Sequence, residues 1–237
     1  MNAKTWVIGD IHGAYQPLKQ VLEKIGLNKN DQLIFLGDYV DGWPESYQVI
    51  EYLISLSKTY SCIFIKGNHD IWCASWLAGN EPDKNWLDNK GYTTVNNYNG
   101  ASQNQKSAHL DFFNNLVDYH IDNKNRLFIH AGFTAIKGPA EESFAYNFNN
   151  DRTLLETAFA MDRKLDLSSV FYPKRLKLFY EIYIGHTPTT KYDINIPINA
   201  ANLWDIDTGV SQGGKISVMN IDTKEFWQSD LVGDFYN

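Results

Sequence analysis

The sequence predicts a mixed α/β fold in which two mixed β-sheets pack face to face with helices outside. Three observations carry that prediction. Apolar runs alternate with amphipathic helical stripes through the first half of the chain, and short alternating runs (KISVMNI, EFWQS) appear near its end. Three of the early apolar runs finish in polar side chains suited to metals: VIGDIHG at 7–13, IFLGDYVDG at 34–42 and IFIKGNHD at 63–70.

The elements follow in order. Strand 4–9 leads to helix 14–25, where Leu18, Val21, Leu22 and Ile25 make a helical stripe. Strand 32–36 leads to helix 45–58, with Val49, Ile50, Leu53 and Leu56 inward, and strand 61–66 leads to helix 70–78. Residues 79–105 are Asn-rich and punctuated by Gly, so they predict an irregular excursion. A helix near 106–117 precedes strand 126–130. Residues 134–150 predict a second loop excursion, 151–160 a helix and 179–184 a strand ending at His186, and the 201–230 tail predicts antiparallel strands.

The early strands are rich in Val, Ile, Phe and Leu, as buried parallel strands are. Ligands in open α/β sheets bind beyond the carboxyl ends of strands. Asp10, His12, Asp38, Asp41, Asn68 and His69 all fall at such ends, spaced by roughly thirty residues, the length of one strand–helix–strand crossover. They therefore describe one site. Carboxylate and imidazole donors together suit Mn²⁺, Fe or Zn²⁺ better than Ca²⁺ or Mg²⁺.

Composition bounds the function. The 237 residues are 43% hydrophobic and 21% charged, with a net charge of −7. That describes a globular chain able to bury a sizeable core, and no basic block is present to bind a nucleic acid polymer. No apolar run approaches the length of a membrane span, and the chain enters its first strand directly, so the expected setting is cytoplasmic. Cys62 and Cys73 fall on a buried strand and the following helix and read as reduced core residues.

These motifs resemble the calcineurin-like metallophosphoesterase superfamily, and within it the bacterial and phage-type phosphoprotein phosphatases. The symmetrical diadenosine tetraphosphatases share the same motifs. Later matches are FIHAGF (128–133), MDRKL (161–165), YIGHTPT (183–189) and WDIDTG (204–209), so the likeness spans nearly the whole chain. It implies a four-layer α/β/β/α sandwich formed by residues 1–237 as one domain. It implies two divalent transition-metal ions, Mn²⁺ foremost with Fe or Zn²⁺ as alternatives. Asp10, His12 and Asp38 would serve the first, and Asp38, Asn68, His130 and His186 the second. A hydroxide bridging the two ions would attack the phosphate ester. The resemblance makes His69 the acid that protonates the leaving oxygen, with Asp41 holding its ring, and it makes Asn68 and Arg163 substrate contacts. Asp207 reads as a support for a ligand histidine. His109 and His120 match no motif.

One position departs from the family pattern. An Arg that grips the substrate phosphate usually follows Asp41, and here Gly42 stands in its place. With only four arginines in the chain, Arg163 is left as the expected clamp. Lys66 and Trp43 are the candidates to compensate. Trp72, Trp76 and Trp86 could form an aromatic wall near the metals, although core packing is the default for all three.

The leading functional expectation is a metal-dependent phosphatase acting on phosphoproteins. A dinucleoside polyphosphate or small-molecule phosphate hydrolase uses the same chemistry on another substrate. A third reading, resting on Gly42 alone, is a weakly catalytic metal-binding protein that recognises phosphorylated partners.

Overall fold

Side-chain alternation along the strands sorts apolar residues into three layers in the computed structural model, which describes residues 3–236. In β1 (Thr5–Ile8), Trp6 and Ile8 face an outer core while Val7 faces the molecule's middle. β2 (Gln32–Phe35) repeats this, with Leu33 and Phe35 outward and Ile34 in the middle. In β5 (Arg126–Ile129) and β6 (Glu181–Ile184), Phe128 and Tyr183 join the same middle layer, stacked at 5.0 Å. Leu127, Ile129, Ile182 and Ile184 enter a second outer core.

The strands form two five-stranded sheets. The first runs β10 (Phe226–Gln228), β9 (Ser217–Asn220), β1, β2, β3 (Ser61–Phe64). Its β1, β2 and β3 are parallel, joined by α1 (Tyr15–Ile25) and α2 (Ser46–Ser57), and β9 and β10 add antiparallel strands. The second sheet runs β4 (Tyr119–Ile121), β5, β6, β8 (Leu203–Asp205), β7 (Ile198–Ala200). Its β5, β6 and β8 are parallel, and its edges are antiparallel. With α1, α2, α3 (Asn68–Leu77) and α6 (Gln103–Asn114) over one sheet, the layer order is α/β/β/α. The helices over the other sheet are α8 (Thr153–Ala160) and α9 (Lys174–Lys177). The stripe Leu18, Val21, Leu22 and Ile25 is buried as expected, each side chain contributing about 1.5–3 kcal/mol relative to exposure. Cys62 and Cys73 are both free and pack in the first outer core.

Three expectations are corrected. The 79–105 excursion is largely helical: α4 (Lys84–Trp86), a π-type turn (Leu87–Gly91), α5 (Tyr92–Asn97) and the start of α6. The Ser102–Gln105 capping box sets that start three residues earlier than the apolar pattern indicates. The 134–150 loop contains α7 (Tyr146–Asn150); the antiparallel strands expected in the tail are present as β9 and β10, while β8 adds a parallel pairing to β6. Among the described residues no helix is long and apolar enough to cross a membrane.

Candidate active site

Strand ends from both sheets deliver the site. Asp10 and His12 follow β1, Asp38 and Asp41 follow β2, and Asn68 and His69 open α3 after β3. His130 follows β5, His186 follows β6 and Asp207 follows β8. His12, Asp38, Asp41 and His186 all hold left-handed φ values, from 49° to 73°. Such backbones cost about 1–3 kcal/mol each in non-glycine residues and persist only where their surroundings over-determine them. Here the N–H groups of Ile11 and His12 both donate to the Asp38 carbonyl, at 3.1 and 2.8 Å.

Two groups of donors share one atom. Asp38 Oδ2 lies 3.6 Å from His12 Nε2, which is also 3.6 Å from Asp10 Oδ2. The same Asp38 Oδ2 lies 3.4 Å from His130 Nε2. Asn68 Oδ1 completes the second group, 3.2 Å from His130 Nε2 and 3.0 Å from His186 Nδ1. The sets His12, Asp38, His69 and Asp38, His130, His186 each bring their ligand atoms within 4.8 Å of one another. His69 is thus near enough to join the first group, but its Nδ1 is taken by Asp41 Oδ2 at 2.6 Å.

Asp70 fixes this geometry from below. It accepts the backbone N–H groups of Asp38, Tyr39 and Gly67 at 2.8–2.9 Å. Gly67 must be glycine, because a Cβ there would sit 2.1 Å from Asp38 Oδ1. Asp41 is held as firmly: Trp86 Nε1 and Thr94 Oγ1 each donate to its carboxylate at 2.6 Å.

The electrostatics describe a buried cluster short of fixed positive charge. Burial pushes the Asp10 carboxyl up to about 7. Burial and the Asp10 charge push Asp207 to about 8. Burial alone would lower His130, but the Asp38 carboxylate outweighs it and raises it to about 10. Burial and the His130 charge hold His186 well below the usual range. Against burial, the charge of Asp38 and the bond to Asp41 raise His69 to about 9. Cations placed among these donors would displace the protons that burial favours on Asp10 and that Asp38 favours on His130, so the donor set fits two divalent ions sharing Asp38.

His12, Asp38, Asn68, His69, His186 and Asp207 line a cleft of about 350 Å³. Gly42, Trp72, Lys90, Arg152, Lys191 and Gln212 line it too. Arg152 Nη1 donates to Thr187 Oγ1 at 2.8 Å, next to His186. Burial and the Arg152 charge together lower Lys191, so these two cations crowd one another.

Several expectations are corrected at this point. Arg163 is exposed in the turn after α8 and lies outside the cleft lining, so the arginine in reach of a substrate is Arg152. Both stand in an Asp-Arg pair, and motif order pointed to the later one. The visible signal for Arg152 was Asp151, which caps α8 through the Thr153 and Leu154 N–H groups. Lys66 is drawn off to Asp118 at 3.1 Å, and Trp43 donates to the Val210 carbonyl and stacks on Tyr236. Asp207 lines the cleft but accepts the Gly209 N–H instead of holding a histidine. Of the tryptophans, Trp72 lines the cleft, Trp86 holds Asp41 and Trp76 packs against Trp86. His109 is buried between Tyr98 and Glu51, and His120 lies in β4 with its ring tilted against Phe128. Asp70, Thr94, Lys90 and Lys191 are not singled out by the sequence, nor is the role of Trp86 as a donor to Asp41. Asp70 was the most legible of them, three residues after Gly67 within the GNHD motif.

Comparison with known proteins bears on this site. The asymmetrical bis(5′-nucleosyl)-tetraphosphatase PrpE of Oceanobacillus iheyensis is 26% identical, over 93% of this chain and 89% of its own length. A symmetrical bis(5′-nucleosyl)-tetraphosphatase of Coxiella burnetii is 27% identical, over 96% and 93%. A structure described as a putative diadenosine tetraphosphatase superposes with a TM-score of 0.63 at 15% identity, covering 95% of this chain and 92% of that one. A protein serine/threonine phosphatase from Saccharomyces cerevisiae superposes at 0.58 and 16%, covering 97% and 79%. These two share the fold. The family model for calcineurin-like phosphoesterases matches residues 3–216, and the chain belongs to the calcineurin-like phosphoesterase family.

Proposed function

We propose that the protein is a dinuclear-metal phosphoesterase that cleaves dinucleoside polyphosphates, with residues 1–237 acting as one domain. The observation that carries the substrate class is the cleft's lining: Arg152, Lys191 and Lys90 stand around the donor clusters of a chain whose net charge is −7. A single phosphate ester brings about two negative charges to the ion pair, and three further cations suit a longer phosphate chain better. The tetraphosphatase relatives support the same substrate class. Trp72 offers a flat apolar surface beside His69 on which a base can stack.

Asp10, His12 and Asp38 would hold one ion and Asp38, Asn68, His130 and His186 the other, with Mn²⁺ as the working choice. The ions supply charge neutralisation at the phosphate and lower the pKa of water to near neutrality. The chain's own residues do the rest. Arg152 binds a phosphate oxygen and is oriented for it by Thr187. His69, with Nδ1 fixed on Asp41, presents Nε2 to the cleft and hands a proton to the leaving oxygen. Trp86 and Thr94 hold the Asp41 carboxylate that orients this ring.

Phosphoprotein hydrolysis, the leading expectation from sequence, would use the same residues. A Mn²⁺-supplemented panel separates the two. Higher kcat/KM for diadenosine tetraphosphate than for phosphoserine, phosphothreonine and phosphotyrosine peptides supports the proposal. The reverse order would make the protein a protein phosphatase. No turnover of any ester, an aryl phosphate included, would leave only the binding-protein reading.

A further inference from the structure

Arg152 and the two donor clusters suffice for one phosphate, whereas a dinucleoside polyphosphate carries several. Lys90 stands on the cleft lining beside Gly42, where the clamp expected from sequence is missing. A Cβ built on Gly42 would lie 3.9 Å from Lys90 Cδ. The aliphatic stem of Lys90 therefore lies in van der Waals reach of a side chain at position 42. The two backbones are tied together: Gly42 N–H donates to Thr93 Oγ1 at 3.0 Å, and that hydroxyl donates to the Lys90 carbonyl at 2.8 Å.

The local backbone is bent to place this lysine. Lys90 has φ 73° and Asn89 φ −92°, ψ 36°, so the chain leaves helical geometry between α4 and α5. A left-handed lysine is uncommon, and such outliers gather where a side chain must be presented. Lys90 Nζ donates to the Ser211 carbonyl, and Ser211 lines the same cleft. Among the described residues no carboxylate lies within 4.0 Å of it, although Asp88 shares the lining. Among the described residues its hydrogen-bond partner is a neutral peptide oxygen, and a phosphate oxygen, itself charged, would make a stronger bond to the ammonium.

We propose that Lys90 is a specificity-determining residue that binds the phosphates flanking the one held over the metal donors, so that the site selects phosphate chains over single esters. This rests on the polyphosphate reading of the site. The test uses the Mn²⁺-loaded full chain, its Lys90→Met variant and its Lys90→Arg variant. Three quantities are read: inorganic tripolyphosphate affinity by calorimetry at constant free Mn²⁺, and kcat/KM for diadenosine tetraphosphate and for an aryl phosphate. Lys90→Met should weaken tripolyphosphate by about tenfold or more, as for losing a charged hydrogen bond. It should lower kcat/KM for diadenosine tetraphosphate by a similar factor, through KM, and that for the aryl phosphate by a smaller one. Lys90→Arg should recover most of the loss. Equal losses on all three, or an unchanged tripolyphosphate affinity, would overturn the assignment. Failure of the parent reading looks different: diadenosine tetraphosphate would not be cleaved, yet Lys90→Met would still weaken tripolyphosphate.

Discussion

Trp86 and His69 meet on a single oxygen atom. Asp41 Oδ2 lies 2.6 Å from the indole Nε1 and 2.6 Å from the imidazole Nδ1. The segment that carries Trp86 lies outside the metal-donor motifs, yet it sets the carboxylate that orients the proposed acid. His69→Asn and Asp41→Asn should lower kcat by roughly 10²–10⁴ with metal content near normal. Trp86→Phe keeps the ring and removes one donor to Asp41, and it should cost about tenfold. Leaving groups check the role. The His69→Asn defect should shrink for nitrophenolate, which needs little protonation, and an equal defect for acidic and basic leaving groups would remove His69 from proton delivery.

The two arginines give opposite expectations. Arg152→Ala should cost about 2–4 kcal/mol of transition-state stabilisation, as for losing a charged donor in a shielded site. Arg163→Ala should be nearly silent in kcat/KM, because its side chain is exposed away from the cleft. Steady-state kinetics on both variants with one substrate settle the ranking.

Gly42→Arg restores the usual family residue but should raise KM for phosphate substrates. Gly42 holds φ 95°, a region where side chains are strained, and Lys90 already lies beside the space above it. A lowered KM in a folded Gly42→Arg variant would show that the position still accepts its own clamp.

Asp70→Ala should destabilise the fold and loosen the metal donors together. It strands three buried N–H groups, those of Asp38, Tyr39 and Gly67, at about 1–3 kcal/mol each. A loss of about 3 kcal/mol lowers Tm by roughly 6–12 °C in a chain of this size. Thermal unfolding with and without Mn²⁺ reads both effects, since bound metal then returns less stability to the variant.

What the sequence made legible follows from what periodicity records. β1, β2, β3, β5 and β6 each carry an apolar run after one polar residue, and the donors that follow these runs are legible as strand-end residues. The 79–105 segment was not legible, because its Asn and Thr residues carry weak helix propensity. Its helices are anchored by tertiary burial of Trp86, Thr94 and Tyr98, which no local pattern shows. The edge strands β4 and β7 are three residues long, too short for alternation to register. Lys90 and Arg152 escaped for a related reason. Each reaches the cleft through a turn whose geometry is set by contacts distant in sequence, Thr93 with Gly42 for one and Thr187 for the other.

Asp38 is the donor proposed to join two metal ions in one hydrolytic site. Elemental analysis of the protein after Mn²⁺ reconstitution, paired with aryl phosphate hydrolysis before and after chelation, tests it most directly. About two ions per chain are expected, with activity that vanishes in chelator and returns with Mn²⁺. One ion or none per chain, with full activity retained in chelator, would contradict it.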